Sequence, residues 1–190
     1  MNSSLILSTT TFIYALASVF YIGSFSFKKQ PLARAGFLVI VIVFIGNTTG
    51  ILLRWVESYQ MGYGHAPFSN MYESLVFFSW TLAVLYIFVE FKYKESIIGV
   101  FISPLIFLAI AYASFDPNVG SKISPLIPAL KSNWLIAHVI SCFLGYAGFA
   151  LAFGFSFIYF IKPKAPSSDS VFARLPSWEL IDELTYQMIV

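Results

Sequence analysis

The chain lacks most of what a water-facing surface requires. Of its 190 residues only 11% are charged, as 11 Lys+Arg and 9 Asp+Glu, where soluble domains run at about 25%. A formal charge of +2 supplies no basic footprint for nucleic acid, so nucleic-acid binding is excluded along with a soluble enzyme or a disordered regulator. The single cysteine, Cys142, rules out an internal disulfide, a CxxC redox pair and a cysteine-based zinc site. There is no phosphate-binding glycine loop, no Ser-His-Asp set, no carboxylate pair arranged for acid–base work and no internal repeat. Alternating short strands are missing too, which excludes a β-barrel. What remains is 58% hydrophobic and 19% aromatic residues, with a mean hydropathy of +0.81. The class is an all-α, polytopic integral membrane protein, and its environment is the lipid bilayer.

Runs free of Lys, Arg, Asp and Glu locate the spans at 1–27, 35–53, 74–89, 96–115 and 132–161. A helix needs roughly 20 apolar residues to cross about 30 Å of hydrocarbon. These runs predict helices near 7–27, 35–54, 70–91, 96–115 and 133–161, in one membrane domain covering 1–190. The first run is too long for a signal-peptide core and has no early positive charge, so it is expected to stay in the chain. The last is long enough to tilt or to project beyond the bilayer.

Positive residues set the expected orientation. Lys28, Lys29, Arg34, Lys92, Lys94, Lys162, Lys164 and Arg174 follow the odd-numbered spans, whereas Arg54, Lys122 and Lys131 lie at the other ends. The bias places the first group in the cytoplasm and the amino terminus outside, with two larger outer loops at roughly 55–69 and 116–132. The setting is an inner, plasma or thylakoid membrane. After Pro176, Ser177 and the acidic residues behind it cap a helix well over 177–190. Trp178, Ile181 and Leu184 can form an interfacial stripe, but the turn to Met188-Ile189-Val190 reads more naturally as the start of a sixth span of a longer or split product.

The two histidines, His65 and His138, both fall on the outer side in this topology. His138 lies about one turn inside the fifth span, within Trp134-Leu135-Ile136-Ala137-His138-Val139. An ionisable group there is a functional candidate because hydrocarbon makes it costly, and imidazole is a common ligand of haem iron. An interfacial histidine bonded to a neighbouring helix is the plain alternative. For His65, in a Gly/Pro loop, a structural or solvated role is the plain alternative. Arg54 and Glu57 stand three apart and are placed to pair across a turn. Glu73 suits the start of the third span electrostatically, with Asn70 and Tyr72 beside it. The small-residue patterns Gly46-Asn47-Thr48-Thr49-Gly50 and Ser141, Gly145, Gly148, Ala152 point to close helix packing.

Two stretches carry a resemblance. Gly64-His65-Ala66-Pro67-Phe68-Ser69-Asn70-Met71-Tyr72-Glu73-Ser74, with Arg54-Trp55 ahead of it, resembles the external-loop motif of CcsA/ResC-type cytochrome c biogenesis proteins. Trp134 through Val139, continuing to Gly145-Tyr146-Ala147 and Phe149-Ala150, is similar to the histidine-bearing helix of that family. Leu180 through Tyr186 is similar to its approach to the next membrane helix, so the resemblance covers nearly the whole chain.

The resemblance implies a membrane subunit of the system II cytochrome c maturation machinery, at most one subunit of a haem lyase or synthase complex. Its cargo would be haem b, and its partners a CcsB/ResB-like membrane protein and apocytochrome c. Haem would be presented at the outer face for attachment to CxxCH. His138 matches the first of the family's two external haem ligands. His65 is a lesser haem candidate, and Asn70, Tyr72, Glu73, Arg54 and Trp134 would shape the vestibule or the structure around it. The family's tryptophan-rich WWD segment, its second external histidine and its intervening membrane histidine are absent from these residues, implying an amino-terminal portion with half a haem site. A haem-free assembly scaffold or truncated remnant is the main alternative. A small transporter is the weaker one, since no charge sits at mid-depth in any span.

Overall fold

The computed structural model describes residues 2–126, 132–164 and 171–190. Lys131, counted above among the outer positive residues, and parts of the 116–132 and 162–175 loops lie outside the described residues. The order is α1 (Ser3–Ser26), α2 (Gln30–Gln60), α3 (Met71–Tyr93), a 3-10 turn (Ser96–Ile98) leading into α4 (Gly99–Phe115), α5 (Asn133–Ile161), a second 3-10 turn (Val171–Arg174) and α6 (Trp178–Ile189). There is no strand among the described residues. Five helices, α1 through α5, are long and apolar enough to cross a membrane. The protein is an all-α polytopic membrane protein. Inside hydrocarbon a helix satisfies its own backbone hydrogen bonds, which is why charge-free runs of this length take that form.

α1 packs on α2 and α4, α3 on α2, α4 and α5, and α6 on α5. Glycine lets the first two helices approach closely. A Cβ on Gly50 would stand 2.6 Å from Leu7, one on Gly46 3.3 Å from Thr10, and one on Gly36 3.0 Å from the Tyr21 ring. Deeper in, Asn47 on α2 donates to the Tyr14 hydroxyl on α1 at 3.4 Å and to Ser79 Oγ on α3 at 3.2 Å. One amide thereby joins three helices where lipid offers no competing partner.

α5 is the peripheral helix. Its apolar stretch is 22% buried, against 50% for α3. It holds to the bundle through Ala147, Leu151, Phe155 and Ile158, while Trp134, Phe149, Phe153 and Phe160 are exposed. The small residues of α5 divide accordingly. Gly148 faces the Met188 carbonyl and Gly154 faces Ile102, whereas Gly145 faces open space.

α6 runs antiparallel beside α5. Trp178 meets Tyr159 edge-on at 4.6 Å between ring centroids, and Met188 reaches Gly148. Ten residues of α6 and eleven of α5 separate these contacts, so the axes stay together instead of crossing. Ile181 and Leu184, read from the sequence as part of an interfacial stripe, are buried in the bundle core.

The alternation of the helices defines two ends. Ser3, Gln60, Met71 and Phe115 share one end, as the bonds Ser3–Glu57 and Thr11–Ser114 require. Ser26, Gln30, Tyr93 and Trp178 share the other, tied by Tyr21–Glu90 and by Arg174 to the Lys28 carbonyl. Both histidines stand at the first end, and the cations that follow the odd-numbered spans at the second.

Candidate functional site at the histidine end

The layer over the first end is built by local signals that then meet. α2 stops where Gly62 adopts φ +78°, with Gly62 N–H donating to Tyr59 O and Tyr63 N–H to Ser58 O, a six-to-one closure that glycine makes easy. Gly64, at φ +64°, turns the chain again and delivers His65. α3 begins with Asn70 as its cap, the side-chain oxygen accepting from Glu73 N–H at 2.9 Å. Glu73 reaches back to accept from Ser69 N–H and Ser69 Oγ, each at 2.7 Å. This is a capping box displaced by one residue.

Glu73 also receives Arg54, whose Nε lies 2.7 Å from Oε1, with both side chains almost wholly buried. Arg54 Nη2 continues to the Ser121 carbonyl at 2.8 Å, and its guanidinium lies 4.9 Å from the centre of the Tyr72 ring. Asn70 Nδ2 donates to the Lys122 carbonyl at 3.2 Å. One ion pair thus binds the end of α2, the start of α3 and the 121–124 loop. The pairing of Arg54 with Glu57 expected from their spacing does not occur. Glu57 instead accepts from Ser3 N–H at 2.9 Å and from the Ser3 hydroxyl. Three donors on Glu73 outweigh one exposed i,i+3 contact, because a buried carboxylate needs its lone pairs filled.

His65 is part of the same layer. Its Nδ1 lies 2.8 Å from the Ala66 carbonyl and its Nε2 2.8 Å from the Ser124 carbonyl, and its ring stacks on Tyr63. Carbonyl oxygens only accept, so a neutral ring donates to one of them at a time, the tautomer deciding which. Both nitrogen edges are blocked, and coordination of a metal by His65 would require one contact to open. Beside the ring lies a cavity of about 360 Å³ walled by Trp55, Tyr59, Tyr63 and Phe68 on one side and Leu135, Ile136 and Val139 of α5 on the other.

His138 is differently placed. It is exposed, lies outside that cavity wall, and among the described residues has one polar side-chain contact, the Cys142 sulfur, 3.6 Å from Nε2 and 3.7 Å from Nδ1, one helical turn along. Trp134, a turn earlier, is 85% exposed. The imidazole is therefore open to the outside of the bundle. The structure brings Arg54, Asn70, Tyr72, Glu73 and His65 into one layer, and leaves His138 and Trp134 on the flank of α5. Among the described residues no group of three or more His, Cys, Asp or Glu is arranged to hold a metal ion.

The sequence reading missed two groups. One is the aromatic wall of Trp55, Tyr59, Tyr63 and Phe68, signalled only by their crowding on either side of Gly62-Tyr63-Gly64. The other lies at the opposite end, where the buried Glu90 accepts from the hydroxyls of Tyr21, at 2.7 Å, and Tyr86. Tyr86 precedes Glu90 by one helical turn, a spacing visible in the chain, but Tyr21 arrives from another helix.

Fold and site together define a polytopic helical membrane protein with an ordered polar layer at one end and an open histidine on its flank. The family described as Cytochrome C assembly protein matches residues 68–190. The cytochrome c biogenesis protein CcsA of Chlorella vulgaris is 34% identical over 164 residues, covering 86% of this chain and 49% of that protein. CcsA of Heterosigma akashiwo is 41% identical over 119 residues, 62% of this chain and 37% of that protein. CcsA of Guillardia theta is 31% identical over 173 residues, 87% and 56% respectively. The chain spans about half the length of the curated relatives it matches. No solved structure gives a significant match. This chain belongs to the cytochrome c assembly protein family, and its relatives there are of the CcsA type.

Proposed function

We propose that the chain serves cytochrome c maturation as a membrane component that handles haem at the outer face, for attachment to the CxxCH segment of an apocytochrome c within a system II assembly. Haem b is cargo in this reading, and a CcsB/ResB-like membrane protein is the partner. The observation that carries it is the state of His138, one of only two histidines in the chain. It stands about a turn inside the end of a membrane helix, exposed, and among the described residues its one polar side-chain contact is the Cys142 sulfur at 3.6 Å. Such an imidazole fits one axial position of a haem iron and exacts no rearrangement of the fold. The predominance of positive residues at the opposite end supports an outward-facing histidine end. The ordered layer around Arg54 and Glu73 forms the floor of the vestibule, and the 360 Å³ aromatic cavity beside His65 offers apolar surface next to it.

The test is to co-express the chain with its CcsB-like partner, purify the complex and record haem absorption spectra for wild type and His138→Ala. Loss of the haem bands in the variant is expected, and equal retention would remove His138 from the mechanism. Labelling of cysteines introduced at position 63 from either side of the membrane checks the orientation, which must be outward.

A second reading, a haem-free assembly scaffold, draws support from His65. Both nitrogens of His65 lie against carbonyls, which leaves His138 as the exposed imidazole, and a lone axial ligand holds haem weakly. Capture of the partner without haem, with no haem spectrum under any condition, would favour the scaffold.

A further inference from the structure

The end of the bundle away from the histidines carries a cleft that the haem reading does not use. It has a volume of about 570 Å³ and opens between the first turns of α2 and the last turn of α3. Two cations stand at its rim, Arg34 of α2 and Lys94 at the end of α3. Both are exposed, and neither side chain forms an ion pair or hydrogen bond with any described residue. The Gln30 amide and the Ser96 hydroxyl complete the polar rim, within 3.5 Å of each other. α2 starts here with no side-chain cap, so its first N–H groups add positive character.

Depth sorts the chemistry. α2 enters the membrane from Gln30 and α3 leaves it at Tyr93, so residues later in α2 and earlier in α3 lie deeper. Phe37 and Leu38 follow Arg34 by three and four residues, on the same face. Phe91 precedes Lys94 by three. Phe37 and Phe91 line the cleft, and Phe91 and Leu38 are 77% and 62% exposed. Each cation therefore has an apolar surface about one turn below it, open to the outside of the bundle.

Two carboxylates stand near and do not cancel the charge. Glu90 is turned inward, holding the hydroxyls of Tyr21 and Tyr86. Glu95 lines an adjoining cavity with Lys94 but forms no ion pair with it, and burial raises the pKa of its carboxyl.

We propose that this cleft binds an anionic phospholipid, with the phosphate between Arg34 and Lys94 and the acyl chains running down over Phe37, Leu38 and Phe91. A soluble anion would use only the rim, and a zwitterionic lipid would gain less from two unpaired cations; the stacked charge and apolar surface fit a lipid that carries both.

The test uses the purified chain in detergent, titrated with phosphatidylglycerol, phosphatidylcholine or inorganic phosphate and followed by native mass spectrometry and thermal melting. Phosphatidylglycerol is expected to stay bound and raise the melting temperature, with little effect from the other two. Arg34→Gln/Lys94→Gln should weaken phosphatidylglycerol binding by about tenfold or more, and each single variant by part of that. Lys164→Gln, removing an exposed cation outside the cleft, should change nothing. The proposal is overturned if phosphatidylcholine or inorganic phosphate stabilises equally, if the double and single variants bind like wild type, or if Lys164→Gln loses as much as the cleft variants.

Discussion

The loop layer above α1 to α4 and the outer flank of α5 occupy the same end of the molecule and treat their polar side chains in opposite ways. In the layer the buried charges and the ring nitrogens of His65 meet fixed partners: Arg54 has Glu73 and Ser121, Glu73 has Ser69 as well, and His65 has two carbonyls. On the flank His138 has a sulfur at 3.6 Å and Trp134 is 85% exposed. The difference separates two uses of polarity in a membrane protein. Saturated groups hold segments together, whereas a group left open is available to something outside the described fold. Of two identical side chains, the histidine in the more recognisable loop is the anchored one.

The comparison breaks most visibly at its strongest bond. Arg54→Met leaves the buried Glu73 carboxylate without its cation and should cost about 3–5 kcal/mol, read from unfolding by denaturing detergent. Arg54→Met/Glu73→Leu should recover most of that, since the penalty lies in the orphaned charge. A double variant as unstable as the single one would show that the pair matters through packing alone. The loss should also speed proteolysis within residues 116–126, because Arg54 tethers that loop through Ser121.

Packing contrasts come next. Gly99→Ala places a Cβ 2.2 Å from the Tyr86 hydroxyl and 2.4 Å from the Tyr21 ring, an overpacking expected to cost about 1–3 kcal/mol. Gly145→Ala on the flank meets nothing within 4 Å, so its stability should remain within about 0.5 kcal/mol of wild type. Equal costs at both glycines would mean that α5 is as tightly packed as the body.

The histidines themselves give a smaller effect. His65→Ala removes a link between two loops and should cost about 1 kcal/mol, whereas His138→Ala should stay within about 0.5 kcal/mol. Melting curves of the two variants separate them. Smallest in free energy but direct is reactivity. Diethyl pyrocarbonate should modify His138 before His65, because both nitrogen edges of His65 are covered. The reverse order would remove the distinction on which the haem reading rests.

Much of the architecture was legible because hydropathy is a property of neighbouring residues. The charge-free runs correspond to helices without any tertiary knowledge, since in lipid the backbone has no better partner than itself. Helix ends were less legible. α2 continues to Gln60, past Arg54 and Glu57, because both charges find buried or local partners in other segments. The cap of α3 was readable in Asn70 and Glu73, which lie three residues apart. The bond of Glu73 to Arg54 was not, and neither was Tyr21 at Glu90, because these partners stand far off in the chain.

The residues alone determined that this is a bundle of membrane helices, that its cations gather at one end, and that two imidazoles stand at the other. Tertiary structure decided what each of those groups does. It gave Arg54 to Glu73 instead of Glu57, closed His65 between two loops and left His138 uncovered. Partition into lipid is summed along a stretch of chain and can be read from it, but the satisfaction of a buried charge depends on which distant segments come to rest against it.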